Sequence, residues 1–247
     1  MKVFTAALLA GALATATYAV PSLTGPSGGV ITPQANNVLV PATVEIALDQ
    51  LTLNDNGYSL VRANYAASER LEVGVTAQIS SENMQLRRLG GSASYQLPSV
   101  AGLADYYAAA LTYQGSVNGG VAGGPNEILQ VSLVGSHNVR TDIDYKKMDV
   151  RYPLLFTSYG VNYLHTSGSD TFRPFLGVEA VYPMLDINAE VQAKCSPYDR
   201  AALYSVSVRV PVSDNIGIQG GVTNAVDGVF GGEKANAFLG VNVRMAR

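Results

Sequence analysis

The sequence predicts an all-β protein, a transmembrane up-and-down antiparallel β-barrel, and three observations carry that reading. The first is the stretch Arg70–Ser80, which alternates without a break. Leu71, Val73, Val75, Ala77 and Ile79 fall on one face, and Glu72, Gly74, Thr76, Gln78 and Ser80 on the other. The second is its length. Eleven residues at about 3.3 Å each reach roughly 36 Å, whereas strands of soluble sheets usually run to about five or six residues. A strand tilted by about 45° across a bilayer needs about nine to eleven. The third is composition: only 14% of residues are charged, against about a quarter in soluble proteins. No run beyond residue 19 is apolar and long enough for a helical span. Lipid admits only helices and closed barrels, because every backbone polar group must find a partner there.

Taken in order, the chain opens with MKVFTAALLAGALATATYA. Lys2 precedes an Ala-rich apolar run that ends in Thr17-Tyr18-Ala19, a small-x-small cleavage pattern. Residues 1–19 therefore read as a secretory signal peptide cleaved after Ala19. No cysteine follows the apolar run, which argues against a lipid-anchored N-terminus. What remains, residues 20–247, suits one domain. Loss of Lys2 takes the net charge from −3 to −4. Neither sign dominates and no long Lys/Arg run occurs, so nucleic acid is excluded as an expected partner. Residues 20–41 are interrupted by Pro21, Pro26, Pro33 and Pro41 and read as an irregular N-terminal segment. That segment either lies on the periplasmic side or folds into the barrel mouth.

Residues 42–247 carry the barrel. In the first strand Val44, Ile46 and Leu48 oppose Glu45, Ala47 and Asp49; in the second, Val61, Ala63 and Tyr65 oppose Arg62 and Asn64. After Arg70–Ser80, Gly91, Ala93, Tyr95 and Leu97 oppose Ser92, Ser94 and Gln96. One side of each of the next three strands is marked by Tyr107, Ala109, Leu111 and Tyr113, by Leu129, Val131 and Leu133, and by Tyr159, Val161 and Tyr163. Phe172, Leu176, Val178, Ala180 and Tyr182 oppose Arg173, Gly177 and Glu179, while Leu185, Ile187, Ala189 and Val191 oppose Asp186, Asn188, Glu190 and Gln192. Val206, Val208 and Val210 oppose Ser205, Ser207 and Arg209; Ile216, Ile218 and Val222 oppose Gly217, Gln219 and Gly221. The last strand sets Leu239, Val241, Val243 and Met245 against Phe238, Gly240, Asn242 and Arg244.

This makes about twelve strands, an even number as bacterial single-chain barrels require. The count falls to ten if Phe172–Ala193 is one strand bent at Pro183 and the Pro41–Leu51 strand is peripheral. With a periplasmic N-terminus, the outer loops fall at Asn54–Gly57, Ser80–Met84, Ser116–Asn126, Thr166–Asp170, Lys194–Arg200 and Asn224–Lys234. Asn138–Pro153 then reads as an unusually long periplasmic turn. There is no Trp, so interfacial girdles rest on the 14 Tyr residues, among them Tyr58, Tyr107, Tyr113, Tyr163, Tyr182 and Tyr204 near strand ends.

The leader, the segment Gly25-Pro26-Ser27-Gly28-Gly29-Val30-Ile31-Thr32-Pro33, the strand Arg70–Val75 and the hairpin read over Arg173–Glu179 together resemble the porin-like small barrels among bacterial outer-membrane β-barrel proteins. The resemblance implies export to the outer membrane, insertion by the barrel-assembly machinery, contact with outer-membrane lipid, and a monomer. The chain departs from those barrels at its end, Val243-Arg244-Met245-Ala246-Arg247, where a terminal aromatic residue is usual.

Motifs for chemistry are sparse. His137 stands in Gly-Ser-His-Asn and His165 in Tyr-Leu-His-Thr-Ser, with no nucleophile elbow or triad signature; both read as turn or interfacial histidines. Asn54-Asp55-Asn56-Gly57 lacks the later acidic ligand of a calcium loop and reads as a turn. Gly119–Gly124 has no Lys-Ser/Thr after it and reads as an outer loop. The lone Cys195 excludes an internal disulfide and reads as an incidental loop thiol. No catalytic residue, cofactor or metal is expected.

The polar face carries Arg62, Glu72, Arg173, Glu179, Asp186, Glu190, Arg209 and Arg244. Two readings stay open: paired charges filling a narrow interior, or a pore lining that biases solute charge. The expected function is porin-like passive passage of small solutes, or a structural role. The alternatives are an exported binding or adhesion protein acting through the loops Ser116–Asn126 and Asn224–Lys234, and a barrel enzyme using His137 or His165.

Overall fold

The computed structural model describes residues 20–23, 27–28, 33, 41–51, 57–98, 104–117, 124–139, 154–182 and 184–246. Two short strands, β1 (Val20–Pro21) and β2 (Ser27–Gly28), pair with each other as a small hairpin, antiparallel from Val20↔Gly28 to Pro21↔Ser27. The other twelve form the wall: β3 (Thr43–Leu51), β4 (Tyr58–Ala66), β5 (Leu71–Ser80), β6 (Leu86–Leu97), β7 (Tyr106–Ser116), β8 (Glu127–Asn138), β9 (Leu154–Thr166), β10 (Ser169–Val181), β11 (Asp186–Gln192), β12 (Leu203–Ser213), β13 (Ile216–Val226) and β14 (Phe230–Ala246). Each pairs antiparallel with its sequence neighbours, and β14 closes on β3 from Phe238↔Leu51 to Ala246↔Thr43. Closure leaves no free sheet edge, which is what lets strands stand in lipid.

The count is therefore twelve. The stretch over Phe172–Ala193 is two strands, with Val181 facing Asp186 across the turn. The strand over Thr43–Leu51 is part of the wall, since it seals the barrel between β14 and β4. The leader, the Asn54–Asn56 turn, the 118–123 glycine-rich stretch, Pro183 and residues 140–153 lie outside the described residues.

The wall is inverted relative to a soluble sandwich. Along β3, Thr43, Glu45, Ala47, Asp49 and Leu51 are buried, while Ile46 and Leu48 stand exposed. Leu48, Val75, Leu89, Leu133, Leu176 and Leu239 are each more than half exposed. A soluble sandwich buries its apolar face; here that face is the one turned outward, as a surface solvated by acyl chains requires. No helix among the described residues is long and apolar enough to cross a membrane. Tyr65, Tyr95, Tyr106, Tyr113, Tyr159 and Tyr204 are exposed on the outer surface. Tyr58 is a correction to the expected girdle. It is buried at the first residue of β4, on the inward phase it shares with Leu60, Arg62 and Asn64, and its hydroxyl accepts a hydrogen bond from the Gly228 amide (3.1 Å).

Three register shifts interrupt the wall, between Pro211 and Ser213, between Thr223 and Ala225, and between Gln78 and Ile79. The second breaks the strict alternation of β13, so that Thr223, Asn224 and Ala225 are all buried. The turn that follows uses positive φ at Asp227 (55°) and Gly228 (74°), a conformation open to Gly and tolerated by Asp. It carries Val229 and Phe230 into buried positions inside the outer mouth.

Candidate functional site: the barrel lumen

Alternation puts a polar side chain inward at nearly every second position, and the charged ones are confined largely to one side. On β10–β14 and β3–β5 they include Arg173, Glu179, Asp186, Glu190, Arg209, Arg244, Glu45, Asp49, Arg62 and Glu72. The opposite side, β6–β9, carries Arg88 at the outer end of β6 and is otherwise lined by uncharged residues, many of them small, such as Ser92, Ala108, Ala110, Ser132, Ser158 and Gly160, with Gln114, Gln130 and Asn162 among them. There Ser136 and Ser158 hydrogen-bond hydroxyl to hydroxyl at 2.9 Å.

On the charged side a network crosses five strands. Arg62 of β4 ion-pairs with Asp49 of β3, and Gln219 of β13 donates to Asp49 at 2.5 Å. The intervening β14 carries Gly240 at that level, and a Cβ there would collide with Asp49 Oδ1. Glycine at that position is what lets Gln219 reach Asp49. Arg209 of β12 donates through Nε to Gln219 (3.3 Å) and lies 3.8 Å from Glu179 of β10. Toward the chain terminus, Arg244 lies 3.6 Å from Glu45, its register partner, and Asn242 donates to Glu45 at 2.9 Å. Asn64 donates to Glu72 (2.7 Å), and Ser205 donates to Glu190 (3.3 Å). Asp186 is the register partner of Arg209.

The eight charged residues named from the sequence thus share the buried face of one wall. Arg62, Glu72, Arg173, Glu179, Asp186, Glu190 and Arg209 are 5% exposed or less, and the Arg244 side chain is 14% exposed. A wall open to bulk water would leave such groups accessible. The lumen is closed around them.

Two devices close it. The β1–β2 hairpin lies inside the barrel. Leu23 is 1% exposed and packs with Leu51, Tyr58, Leu60, Leu203, Ala225 and Phe238. The carbonyl of Gly28, on the other leg, accepts from Arg209 Nη2 at 2.6 Å. The N-terminal segment is expected on the periplasmic side or folded into the barrel mouth; its described residues include this hairpin, with Leu23 and Gly28 against the inner wall. At the outer mouth, connections fold inward onto two arginines. Arg173 binds both oxygens of Asp199 (2.9 and 2.7 Å) and donates to the Val229 carbonyl (2.6 Å). Asp199 in turn accepts from the amides of Ser196 (2.9 Å) and Gly231 (2.9 Å). Arg88 donates to the Pro125 carbonyl (2.7 Å) and lies 3.5 Å from Asp227. Ile128, Leu164, Val229 and Phe230, with Tyr198 and Val226 against them, form an apolar layer there.

Several of these residues escape the sequence argument. Glu45 and Asp49 were visible on the polar face of the first strand by alternation alone. Arg88 falls before the first clear alternation of β6, whose start at Leu86 is set by pairing with β5. Asp199 and Asp227 are loop residues, and no periodic signal reaches them.

The histidines lie elsewhere. His165 is exposed at the outer end of β9, 2.5 Å from Asp170, which also accepts from Tyr163 (3.1 Å). His137 is stacked on Tyr159 and lies 3.7 Å from Asp105. Cys195 is exposed in the β11–β12 connection. Among the described residues no cluster of three or more His, Cys, Asp or Glu is arranged to hold a metal ion.

A closed, antiparallel twelve-strand barrel with an apolar outer belt and a polar interior is the architecture of bacterial outer-membrane β-barrels, and this chain has that fold. Among solved structures it is similar to KdgM porin, with a TM-score of 0.55 at 10% identity over 81% of this chain and 98% of that one. It is also similar to KdgM porin in complex with disordered oligogalacturonate, with a TM-score of 0.58 at 11% identity over 81% and 98%. Omp33 of Acinetobacter baumannii aligns over 83% of this chain and 98% of its own, at 8% identity and a TM-score of 0.45. No protein-family model and no curated protein matches the chain.

Proposed function

We propose that this protein is a monomeric outer-membrane channel for small polar solutes, held closed in the structure described. The observation that carries the reading is what fills the lumen. The wall does not close the interior with its own side chains alone; a separate hairpin and inward-folded outer connections occupy it. Side chains just fill barrels of about eight strands, while about sixteen or more leave an open channel. Twelve strands enclose space that a segment can occupy or vacate. The polar, charged wall behind the hairpin is then a solute path when the hairpin withdraws.

The same observation weighs against adhesion through outer loops. The connections over 193–202 and 227–229 are tied into the mouth by Arg173 and Arg88 rather than projecting from it. A barrel enzyme is not favoured, since the two histidines contact carboxylate and phenol groups on the outer surface. The expected partners are outer-membrane lipid and the barrel-assembly machinery.

The test is ion conductance of the refolded mature chain in planar bilayers, beside a form lacking residues 20–40. Heat-modifiable gel migration checks that each is a folded barrel. The reading expects rare openings in the full chain and sustained conductance in the truncated one. A folded, truncated barrel that never conducts would refute it and favour a structural role.

A further inference from the structure

We infer that the inward face of β10–β12 is a station for small monovalent cations, such as potassium or a primary ammonium group; this rests on the channel reading. Glu179, Asp186 and Glu190 share one region of the wall, where Arg209 lies 3.8 Å from Glu179 and is the register partner of Asp186. That guanidinium is partly committed elsewhere, since it also donates to Gln219 and to the Gly28 carbonyl.

A second observation is independent of charge. Asn188 lies between Asp186 and Glu190 on the inward phase of β11, with Glu179 and Ser207 as its register partners. It is 1% exposed, and neither its amide oxygen nor its amide nitrogen has a hydrogen-bond partner. Asp186 Oδ1 and Ser207 Oγ, buried beside it, also lack one. A buried polar group without a partner is costly, and three acceptor oxygens left so in one acidic region match the needs of a partly dehydrated cation. Conduction demands that a cation be held loosely here. Gly28 of the hairpin reaches Arg209 at the edge of this region, so withdrawing the hairpin also releases Arg209 to compete for it.

The experiment is the reversal potential under a potassium chloride gradient, recorded on the full-length chain and on a full-length Leu23→Ala variant with a loosened hairpin. Cation selectivity is expected, falling toward unity in Asp186→Asn and Glu190→Gln made in the Leu23→Ala background. Conducting channels that prefer chloride, show no preference, or keep their selectivity in folded acid-to-amide variants overturn the station and leave the channel standing. If the acid variants do not fold, the sign of selectivity in Leu23→Ala alone decides. If neither heat-modifiable parent conducts, the sign of selectivity in the form lacking residues 20–40 decides, and absence of conductance from that form too overturns the channel reading and this inference with it.

Discussion

Leu23→Ala is the substitution that most directly loosens the hairpin without touching the wall. Leu23 is 1% exposed and packs against residues of β3, β4, β12, β13 and β14. Truncating a buried leucine to alanine costs about 2–5 kcal/mol, depending on how far the site collapses. The cost applies to the inserted state alone, because in the withdrawn state the side chain is in water either way. Collapse is hindered here on one side by Gly228, whose backbone approaches the Leu23 carbonyl so closely that an added Cβ would lie 3.2 Å from it. A value near 3 kcal/mol multiplies the ratio of withdrawn to inserted hairpin by roughly two orders of magnitude. The Arg209 hydrogen bond to Gly28, a charge-assisted bond of about 1.5–3 kcal/mol, survives, so the hairpin is loosened rather than expelled. Single-channel recording should show open probability rising steeply with unchanged single-channel conductance. An open probability equal to that of the parent, in a barrel that remains heat-modifiable, would refute the assignment of the hairpin as the closing element.

Three further substitutions probe the rest of the structure. Asp199→Ala leaves Arg173 buried without its carboxylate and frees three backbone amides; removing one partner of a buried pair costs about 3–5 kcal/mol, so limited proteolysis should cut the 193–202 connection that the parent protects. Gly160→Ala places a Cβ against the Leu133 carbonyl and 2.8 Å from the Phe175 ring; overpacking of about 1–3 kcal/mol should lower the temperature at which gel migration shifts, and no change would mean β8–β10 pack more loosely than described. Leu133→Arg puts a charge near the middle of β8 on the outward face, where a barrel loses about 2–4 kcal/mol in lipid; Ser132→Ala, one residue away on the inward face, should refold into vesicles far better, and equal yields would mean that the apolar belt does not meet lipid.

The fold was largely legible because its signal is local. A period of two residues assigns faces strand by strand, and strands long enough to cross a bilayer, separated by turn residues, leave few arrangements other than a meander. Arg62 and Glu72 fell on their faces from their immediate neighbours. Tyr58 was misplaced because nearness to a strand end is a weaker guide than phase, and its phase depends on where β4 begins. Arg88 was missed for the same reason, since pairing with β5 sets the start of β6.

What the chain alone determined was the inverted wall: which residues meet lipid and which face inward. Only the tertiary structure decided what the interior does. Arg62 meets Asp49, Arg173 meets Asp199 and Arg209 meets Gly28 because closing β14 onto β3 sets a diameter that brings distant segments together. Whether residues 20–28 enter that space depends on how much room the wall leaves and on the Leu23 contacts across it. Such contacts join residues as far apart as Gly28 and Arg209. Alternation is a property of neighbours and carries no information about them.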